Sequence, residues 1–302
     1  MTIEVQDLSK RYGDRYAVRD VSFTVHPGKV TGFLGPNGAG KSTTMRSIVG
    51  LDRPTSGQAL IDGRQYASYR APLRQVGALL DAKAAHRSRT AGNYLTSIAA
   101  THRIPNSRVE EVLDATGLTS VARNKVGGFS LGMGQRLGIA AALLGDPSTL
   151  IHDEPVNGLD PEGVTWVRTL LEKLAAEGRT IFLSSHLLSE LALIADHVVI
   201  IGRGEIIADS PIDALTAGDR SRVRVRTTDT TALSNRIAKS GVTITSSEKE
   251  LLEVDGLTPE QIARAARDAD ILLTELTPLR QTLEDAYNAL TRDAVEYASS
   301  GR

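Results

Sequence analysis

The sequence predicts a mostly parallel α/β domain in residues 1–215 and a small α+β domain in residues 216–302. In the first part, short apolar runs are each followed by a segment of helical composition, which is typical of a parallel sheet. The run Val30–Leu34, for example, ends in a glycine-rich loop, and Ser42–Gly50 then has helical composition and stops at a glycine. After Pro211 the pattern changes to polar and apolar alternation, which indicates a second domain.

The same patterns place further elements of the first domain. The short apolar runs Thr149–Ile151 and Thr180–Ser184 predict buried strands of the parallel sheet. The segments Ile3–Leu8 and Ala17–Val25 instead predict an antiparallel flap. Between Ala91 and Leu144 the pattern changes to helical periodicity without a convincing strand, so we expect a helical insertion at about residues 85–145.

The second domain is predicted to have the order β-α-β-β-α-β, which is the ferredoxin-like split unit. The predicted elements are, in order, Arg222–Thr227, Thr231–Ser240, Val242–Ser246, Leu251–Val254, Pro259–Asp268 and Ile271–Leu276. A last amphipathic helix is predicted from about Pro278 to Tyr297.

Composition and charge exclude several classes of protein. The formal net charge is −1, so no overall field attracts the chain to nucleic acid or to an anionic membrane. No stretch approaches the roughly 18 uninterrupted apolar residues of a membrane span, and the N-terminal residues are charged throughout, so we expect no direct membrane insertion. The absence of cysteine excludes disulfides and thiolate metal sites and suits a reducing cytoplasm.

Alternating arginines at the start of the second domain raise the question of nucleic-acid binding. Arg220, Arg222, Arg224 and Arg226 would share one face of a strand, with valines on the other face. No aromatic residues are interleaved with them to stack on bases. We therefore interpret the row as a solvated sheet face and expect no nucleic-acid partner.

The segment Gly35–Thr43 fits the phosphate-binding pattern G-x-x-x-x-G-K-S/T at every fixed position. Its residues are Gly35, Pro36, Asn37, Gly38, Ala39, Gly40, Lys41, Ser42 and Thr43. Glycines let successive N–H groups point at phosphate oxygens, and the following helix directs its positive end to the same anion. We expect Lys41 to neutralise the β- and γ-phosphates of ATP and the Ser42 hydroxyl to ligate Mg²⁺. The alternative is a glycine-rich turn without a ligand.

A second motif, Ser148–Pro155, is an apolar strand that runs into two acids. In P-loop enzymes an aspartate at the end of a strand reaches the Mg²⁺ shell, usually through water, so Asp153 would do so here. The next residue, Glu154, would orient and deprotonate the attacking water. The alternative is an acidic pair at a helix N-terminus. The preceding His152 should point away from Asp153, so we interpret it as a core histidine with satisfied nitrogens.

Three further motifs come in a fixed order around this strand: Phe129–Arg136, Gly158–Asp160 and Ser184–His186. Together with the phosphate-binding loop, they make the chain resemble the nucleotide-binding subunit of ABC transporters over Thr2–Leu215. The sequence is most similar to the daunorubicin-resistance-type branch of bacterial drug exporters. The resemblance implies a P-loop ATPase fold, a homodimer, and a separate ABC-2-type permease that holds the subunit at the cytoplasmic side of the membrane.

The resemblance also implies roles for single residues. Tyr12 would stack on adenine, unless it merely caps the flap. The segment containing Ser130, Gly132 and Gln135 would contact the γ-phosphate of ATP bound to the other subunit, and Asp160 would lie on the loop that crosses between subunits. His186 would contact the γ-phosphate and the attacking water. The helical insertion, with the Asp81 loop, is the expected docking surface for the permease.

The sequence departs from the family pattern in three places. The common L-S-G-G-Q signature appears as Phe129–Met133, which keeps the serine and the second glycine but has Leu131 in place of the first glycine. Asp81 lies where the family usually has a glutamine that senses metal and water, which leaves that role open at this position. His152 replaces an aliphatic residue.

Two other functions compete with an exporter ATPase. A soluble ABC ATPase acting on ribosomes or DNA is disfavoured. Proteins of the ribosome-binding type carry two nucleotide-binding domains in one chain, and those of the DNA-repair type carry long coiled coils between the motifs. This chain has one phosphate-binding loop and only 112 positions from Lys41 to Asp153. A GTPase is disfavoured because guanine selection uses N-K-x-D, and the nearest match, Asn124–Gly127, lacks the acid. A small-molecule kinase would have no use for the segment at Ser130 or for His186.

Overall fold

The computed structural model describes residues 1–216, 222–248, 250–279, 282–288 and 290, with the side chains of residues 216 and 247 left aside. The chain divides into two compact units, of which the second is Asp213–Ala289 and the first contains Met1–Ile212 and Leu290. None of the described helices is both long enough and apolar enough to cross a bilayer.

The first unit is built on a six-stranded sheet and a three-stranded sheet. The strands are β1 (Ile3–Tyr12), β2 (Arg15–Val25), β3 (Val30–Leu34), β4 (Ser56–Ile61), β5 (Val76–Leu79), β6 (Thr149–His152), β7 (Thr180–Ser185), β8 (His197–Gly202) and β9 (Glu205–Pro211). The larger sheet has the order β5-β6-β7-β3-β8-β9 and is parallel except for β9, which lies antiparallel to β8 at one edge. The smaller sheet, β2-β1-β4, is antiparallel. The predicted parallel sheet and antiparallel flap are both confirmed.

The helices of this part of the chain are α1 (Lys41–Ile48), α2 (Ala91–Thr101), α3 (Asn106–Ala115), α4 (Leu131–Leu143), α5 (Pro161–Ala176), α6 (Leu188–Ile194) and α7 (Ile212–Thr216). Short 3-10 turns lie at Tyr66–Ser68, Pro72–Arg74, Thr119–Val121 and Val126–Gly128. Helices α2, α3 and α4 form the predicted helical insertion.

Two sheets pack face to face around an aromatic cluster. The rings of Phe23 on β2, Phe33 on β3 and Phe182 on β7 lie with their centroids 5.3–5.5 Å apart. Met45 and Ile48 of α1 are buried in the same core. Because α1 packs its apolar side into this core, its first residue is fixed at the carboxyl end of β3, where the phosphate-binding loop ends.

The second unit consists of β10 (Arg222–Thr227), α8 (Thr230–Ile237), β11 (Thr243–Glu248), β12 (Leu251–Asp255), α9 (Pro259–Asp268) and β13 (Leu273–Leu279). Its antiparallel sheet has the order β11-β12-β10-β13, so the predicted β-α-β-β-α-β order is confirmed. Val223 and Val225 lie in its core with Leu233 of α8 and Ile262 of α9.

The predicted last helix begins later than expected. Pro278 is not its start but a residue of the edge strand β13, where it pairs with Val223. An edge strand accommodates proline because one side of its backbone has no partner strand. Residues 283–288 are helical, and the rest of the predicted helix, to Tyr297, falls mostly outside the described residues.

The described members of the arginine row are paired with acids, as a solvated face would allow. Arg222 lies 3.4 Å from Asp285, Arg224 lies 3.5 Å from Glu253, and Arg226 lies 3.6 Å from Glu275. This local neutralisation leaves little positive field on the face for a polyanion. Arg220 lies outside the described residues.

Candidate active site

The phosphate-binding loop lies between the end of β3 and the start of α1 and requires glycine at specific points. Gly40, directly before α1, has φ +114°, a backbone conformation that side chains disfavour. A Cβ on Gly35 would lie 2.3 Å from the Ile201 carbonyl oxygen, so no other residue fits there without displacing β8. The loop therefore combines a fixed backbone with a helix N-terminus, as anion binding needs.

A cleft of about 850 Å³ opens over this loop. Loop residues and a set of residues from outside the loop line it; the latter are Tyr12, Arg15, Tyr16, Ala17, Glu154 and Arg203. Four of these lining residues carry no motif that would mark them in the sequence: Arg15, Tyr16, Ala17 and Arg203. The two arginines add positive charge to the cleft, which suits a triphosphate.

Lys41 is buried within the loop, with 6% of its surface exposed. Its Nζ donates a hydrogen bond to the Gly35 carbonyl at 2.6 Å and lies 3.8 Å from Oε1 of Glu154. Burial lowers the pKa of Lys41, while the nearby carboxylates of Glu154 and Asp153 oppose that shift. The ammonium group is thus held between the loop carbonyls and the acidic strand end, where phosphate oxygens would meet it.

The acidic pair follows β6, and a serine of β7 organises it. The Ser184 hydroxyl donates a hydrogen bond to the Asp153 carboxylate and accepts one from the Glu154 N–H at 3.0 Å. Glu154 has φ +52°, which turns its side chain out of the strand direction. One hydroxyl therefore sets the orientation of Asp153 and the backbone of Glu154, a role that the sequence analysis missed.

His186 completes this group. Its Nδ1 lies 2.5 Å from Oε2 of Glu154, although the two residues end different strands. Glu190, one turn further along in α6, has its Oε2 buried with no hydrogen-bond partner among the described residues. Burial raises the pKa of Glu190; the nearby His186 opposes this shift, and the negative charge of Glu154 adds to it.

Ser42 and Asp153 are the residues predicted to hold Mg²⁺. A hydroxyl and a carboxylate are hard oxygen donors that fit this ion, which retains waters and takes phosphate oxygens to complete its octahedron. The described residues contain no cluster of three or more His, Cys, Asp or Glu that could form an all-protein metal site. The donor set therefore suits a cation that arrives with the nucleotide.

Tyr12 lies at the outer wall of the cleft with 51% of its surface exposed. Its hydroxyl donates to Asp52 at 3.0 Å, and the ammonium of Lys10 lies 4.9 Å from the ring centroid. Partial burial and the hydrogen bond to Asp52 raise the pKa of Tyr12. The hydroxyl is anchored while the ring stays accessible, which agrees with a role in stacking.

Asp81 follows β5, the strand next to β6 in the sheet. Its carboxylate accepts a hydrogen bond from the Lys83 N–H at 2.8 Å and is exposed. Asp81 is not among the residues that line the cleft. Its role toward metal and water stays a prediction.

Ser130, Gly132 and Asp160 lie together, but away from the cleft. They line a separate concavity of about 390 Å³, formed by the start of α4 and the loop before α5. The Ser130 and Asp160 side chains cap their own helices, accepting from Met133 N–H and Gly163 N–H. The two cavities share no residue. A single chain therefore does not bring these residues to the loop Gly35–Thr43.

The departure at Leu131 is matched by a glycine opposite it. A Cβ on Gly158 would lie 2.1 Å from Cδ2 of Leu131, so the leucine side chain occupies the space over that glycine. Leu131 remains half exposed at the edge of the second concavity.

Gln135 points in a different direction from Ser130. Its side-chain NH₂ donates to the carbonyl of Glu154 at 3.1 Å and to the carbonyl of Asn157 at 3.4 Å, within the same chain. The residue is 5% exposed. This placement differs from the nucleotide contact that the family resemblance implies for Gln135.

His152 lies in the core, as predicted, but its nitrogens are not satisfied. It is fully buried on β6, and neither ring nitrogen has a hydrogen-bond partner among the described residues. Burial lowers the pKa of His152 to about 4. The expectation of a satisfied core histidine was wrong: β6 lies between β5 and β7, and no described group bonds the buried ring there.

Comparisons with known proteins identify the family of the chain. A family model described as ABC transporter matches residues 18–157. The bacitracin transport ATP-binding protein BcrA of Bacillus licheniformis is 41% identical over 232 residues, which covers 75% of each chain. The chain belongs to the ATP-binding subunits of ABC transporters. It is an ATP-binding and ATP-hydrolysing subunit of this family.

Other matches to this ABC subunit extend the comparison. The bacitracin transport ATP-binding protein of Enterococcus faecalis is 33% identical and covers 95% of this chain and 96% of its own, so the likeness continues into the second unit. A solved ATP-binding subunit of an ABC transporter is 30% identical, with a TM-score of 0.65 over 72% of this chain and 92% of that chain. Residues 221–284 match a family described as a domain of unknown function.

A dimeric ATP-binding cassette, solved in a post-hydrolysis state with ADP and Pi, shares the fold. It has a TM-score of 0.63 and 24% identity and covers 69% of this chain and 98% of that chain.

Proposed function

We propose that this subunit is the ATPase of an exporter, and that two copies of it enclose two molecules of MgATP. The observation that carries the proposal is the separation of the two cavities on one chain. One holds the loop Gly35–Thr43, and the other holds Ser130, Gly132 and Asp160. In a homodimer whose two copies face each other, the Ser130 cavity of each copy lies over the phosphate-binding loop of the other. Two composite sites are formed in this way.

Within each site, residues of one chain hold the nucleotide and activate water. The loop N–H groups and Lys41 bind the phosphates, and the Ser42 and Asp153 oxygens hold the Mg²⁺ that accompanies them. Glu154 accepts a proton from water as the water oxygen attacks the γ-phosphorus. The bond between the γ-phosphorus and the oxygen that bridges it to the β-phosphate breaks, and ADP and phosphate are released. His186 orients Glu154 through the contact at 2.5 Å.

Ser130 and Gly132 of the second copy supply N–H groups from the start of α4 to the γ-phosphate. Closure of the dimer then depends on ATP, and hydrolysis reopens it, which gives a population shift that a membrane partner can use. We propose that this partner is a separate ABC-2-type permease, which docks on the helical insertion and the Asp81 loop at the cytoplasmic side of the membrane.

The cargo is proposed from the relatives. The Bacillus licheniformis and Enterococcus faecalis relatives are named for bacitracin transport and a Streptococcus pyogenes relative for lantibiotic transport. We therefore propose a peptide antibiotic or a similar drug as the substrate of the permease.

We also propose that residues 1–215 form the ATPase domain and residues 216–302 an accessory domain that stabilises the dimer or regulates it.

The test uses the full chain with Glu154→Gln. Light scattering after gel filtration should give a dimer mass with MgATP and a monomer mass without nucleotide. Lys41→Ala in the same background should remain monomeric, because it cannot hold the phosphates. A Glu154→Gln chain that stays monomeric at saturating MgATP would contradict the homodimer. For the permease, co-expression with a candidate ABC-2 protein should bring the chain to membranes, and a chain that stays in the soluble fraction would count against that partner.

A further inference from the structure

The amide of Gln135 connects two parts of the chain that the proposed function assigns to different ATP sites. Its NH₂ lies between the carbonyls of Glu154 and Asn157, at 3.1 Å and 3.4 Å. Both partners are acceptors, so the NH₂ end must face them and the assignment of nitrogen and oxygen is unambiguous. Helix α4 is therefore bonded directly to the backbone of the residue that carries the base.

The backbone of Glu154 is held on both sides by these contacts. Its N–H donates to Ser184 on β7, and its carbonyl accepts from Gln135 on α4. The φ of +52° at Glu154 is an unfavourable conformation for a residue with a side chain, so it persists only where its surroundings fix it. A shift of α4 along its axis would move the carbonyl and rotate the carboxylate.

The other end of the same connection is the first residue before α4. Ser130 caps the helix by accepting from the Met133 N–H, and it lines the second concavity. Between Ser130 and Gln135 the chain is continuous α-helix from Leu131 onward, which moves as a rigid body over such a short distance. A ligand that moves the start of α4 therefore moves Gln135 by about the same distance.

The side-chain amide of Gln135 is only half satisfied, because its NH₂ bonds two carbonyls and its oxygen bonds no described group. Its Oε1 is buried with no hydrogen-bond partner among the described residues. A methionine of similar length would remove this unpartnered oxygen, but it would leave the carbonyls of Glu154 and Asn157 without the amide donor. The presence of an amide here points to a function for its NH₂.

We propose that Gln135 is a positioning residue that couples the two ATP sites: the nucleotide bound by one subunit engages the start of α4 in the other, and Gln135 transmits this to Glu154 of that second subunit's own site. The inference rests on the proposed homodimer. Gln135 touches neither the nucleotide nor the reacting atoms. It sets the position of the base in response to the opposite site.

The test compares Gln135→Met with Gln58→Met in the full-length chain. Gln58 lies on β4, and its side chain bonds the Gln6 side chain in the flap, away from the cleft, so the same chemical change there should leave kcat within about twofold of wild type. Gln135→Met should lower kcat about tenfold, the loss expected for one hydrogen bond that orients the base. Its affinity for a fluorescent ATP analogue at protein concentrations too low for dimers should match wild type. Its melting temperature should fall by no more than a few degrees, because two carbonyls lose a donor while one unpartnered oxygen is removed.

A cooperativity readout separates coupling from a structural role. The dependence of rate on ATP should lose its sigmoidal character in Gln135→Met, and the Hill coefficient should fall to 1 from the higher value of wild type. A kcat within twofold of wild type, or a Hill coefficient equal to that of wild type, would overturn the proposal. Weaker ATP binding with unchanged kcat would do the same, because it would make Gln135 a nucleotide contact.

Failure of the homodimer is recognised separately. If Glu154→Gln does not dimerise with MgATP, the proposed function fails, and a Hill coefficient of 1 in the wild-type chain overturns the coupling as well. If Glu154→Gln dimerises and Gln135→Met behaves as wild type, only the role of Gln135 is rejected.

Discussion

Nδ1 of His186 lies 2.5 Å from Oε2 of Glu154, so the imidazole and the carboxylate form one unit at the ends of two neighbouring strands. Ser184, two residues before the histidine in β7, binds the Glu154 N–H as well. Strand β7 therefore positions the base from two points, and changes at either point should affect hydrolysis rather than nucleotide binding.

Replacing the base should stop turnover while nucleotide binding is kept. Glu154→Gln removes the proton acceptor but keeps the shape of the side chain, so kcat should fall about 100-fold or more, and ATP affinity should be close to that of wild type. Release of phosphate and binding of a fluorescent ATP analogue measure the two quantities. Turnover close to wild type would remove Glu154 from the role of base.

Loss of the Ser184 hydroxyl, which bonds both Asp153 and Glu154, should slow ATP hydrolysis. Ser184→Ala loses the hydrogen bonds to the Asp153 carboxylate and the Glu154 N–H, so we expect kcat to fall about tenfold, with a smaller change in KM for ATP. Ser148→Ala, at the opposite end of β6, serves as the control and should keep wild-type kcat. Equal rates in the two variants would show that β6 alone orients the acids.

Tyr12 should bind adenine through its ring rather than its hydroxyl. Tyr12→Ala removes a ring face that contributes about 1 kcal/mol, which corresponds to roughly a fivefold loss of ATP affinity. Tyr12→Phe keeps the ring and loses only the hydrogen bond to Asp52, so its affinity should be close to that of wild type. Calorimetric titration with MgATP measures the affinity of both variants. If Phe and Ala are equally damaging, the contact with Asp52 is what matters.

The buried ring of His152 should reduce stability at neutral pH. His152→Leu removes two nitrogens that lack partners among the described residues, and we expect the unfolding free energy to rise by about 1–3 kcal/mol. Thr149→Val, which removes another unpartnered buried oxygen from the same strand, is the matched comparison and should also stabilise. Calorimetric melting in the absence of nucleotide is the measurement, and a lower melting temperature for His152→Leu would contradict the assignment.

His152 also makes a pH prediction with a definite sign. Its pKa is about 4 in the folded chain against 6.5 without burial, so the unfolded state binds more protons between those values. Stability from this group is therefore fully present above pH 6.5 and is lost as pH falls toward about 4, by roughly 3 kcal/mol in total. The difference in melting temperature between His152→Leu and wild type should grow over this interval. A constant difference would mean that the ring is already charged or solvated in the fold.

Local patterns predicted the parts of the site that are local in the chain. The segment Gly35–Thr43 contains its own turn, glycines and helix start, and the acids after β6 follow from one apolar strand, so both could be found from spacing alone. Ser184 appeared only within a motif, because its bridge to Asp153 spans two strands that are distant in sequence. Sheet order is needed to see that contact.

The remaining differences have the same physical origin in tertiary packing. The direction of Gln135 depends on how α4 lies against the loop after β6, and a family role could not supply it. Pro278 looks like a helix start in isolation, but pairing with β10 retains it in an edge strand. His152 looked like an ordinary core residue, and only the packing around β6 showed that its nitrogens have no partner in the part of the chain that the structure describes.

The two separate cavities on one chain have a genetic consequence. A copy with Lys41→Ala has an intact Ser130 side, and a copy with a damaged Ser130 side has an intact Lys41 side. When both are produced in one cell, mixed pairs rebuild one complete composite site, so two inactive alleles should complement each other. By the same logic, a Glu154→Gln allele should be dominant over wild type, since it captures normal copies in closed pairs that reopen slowly.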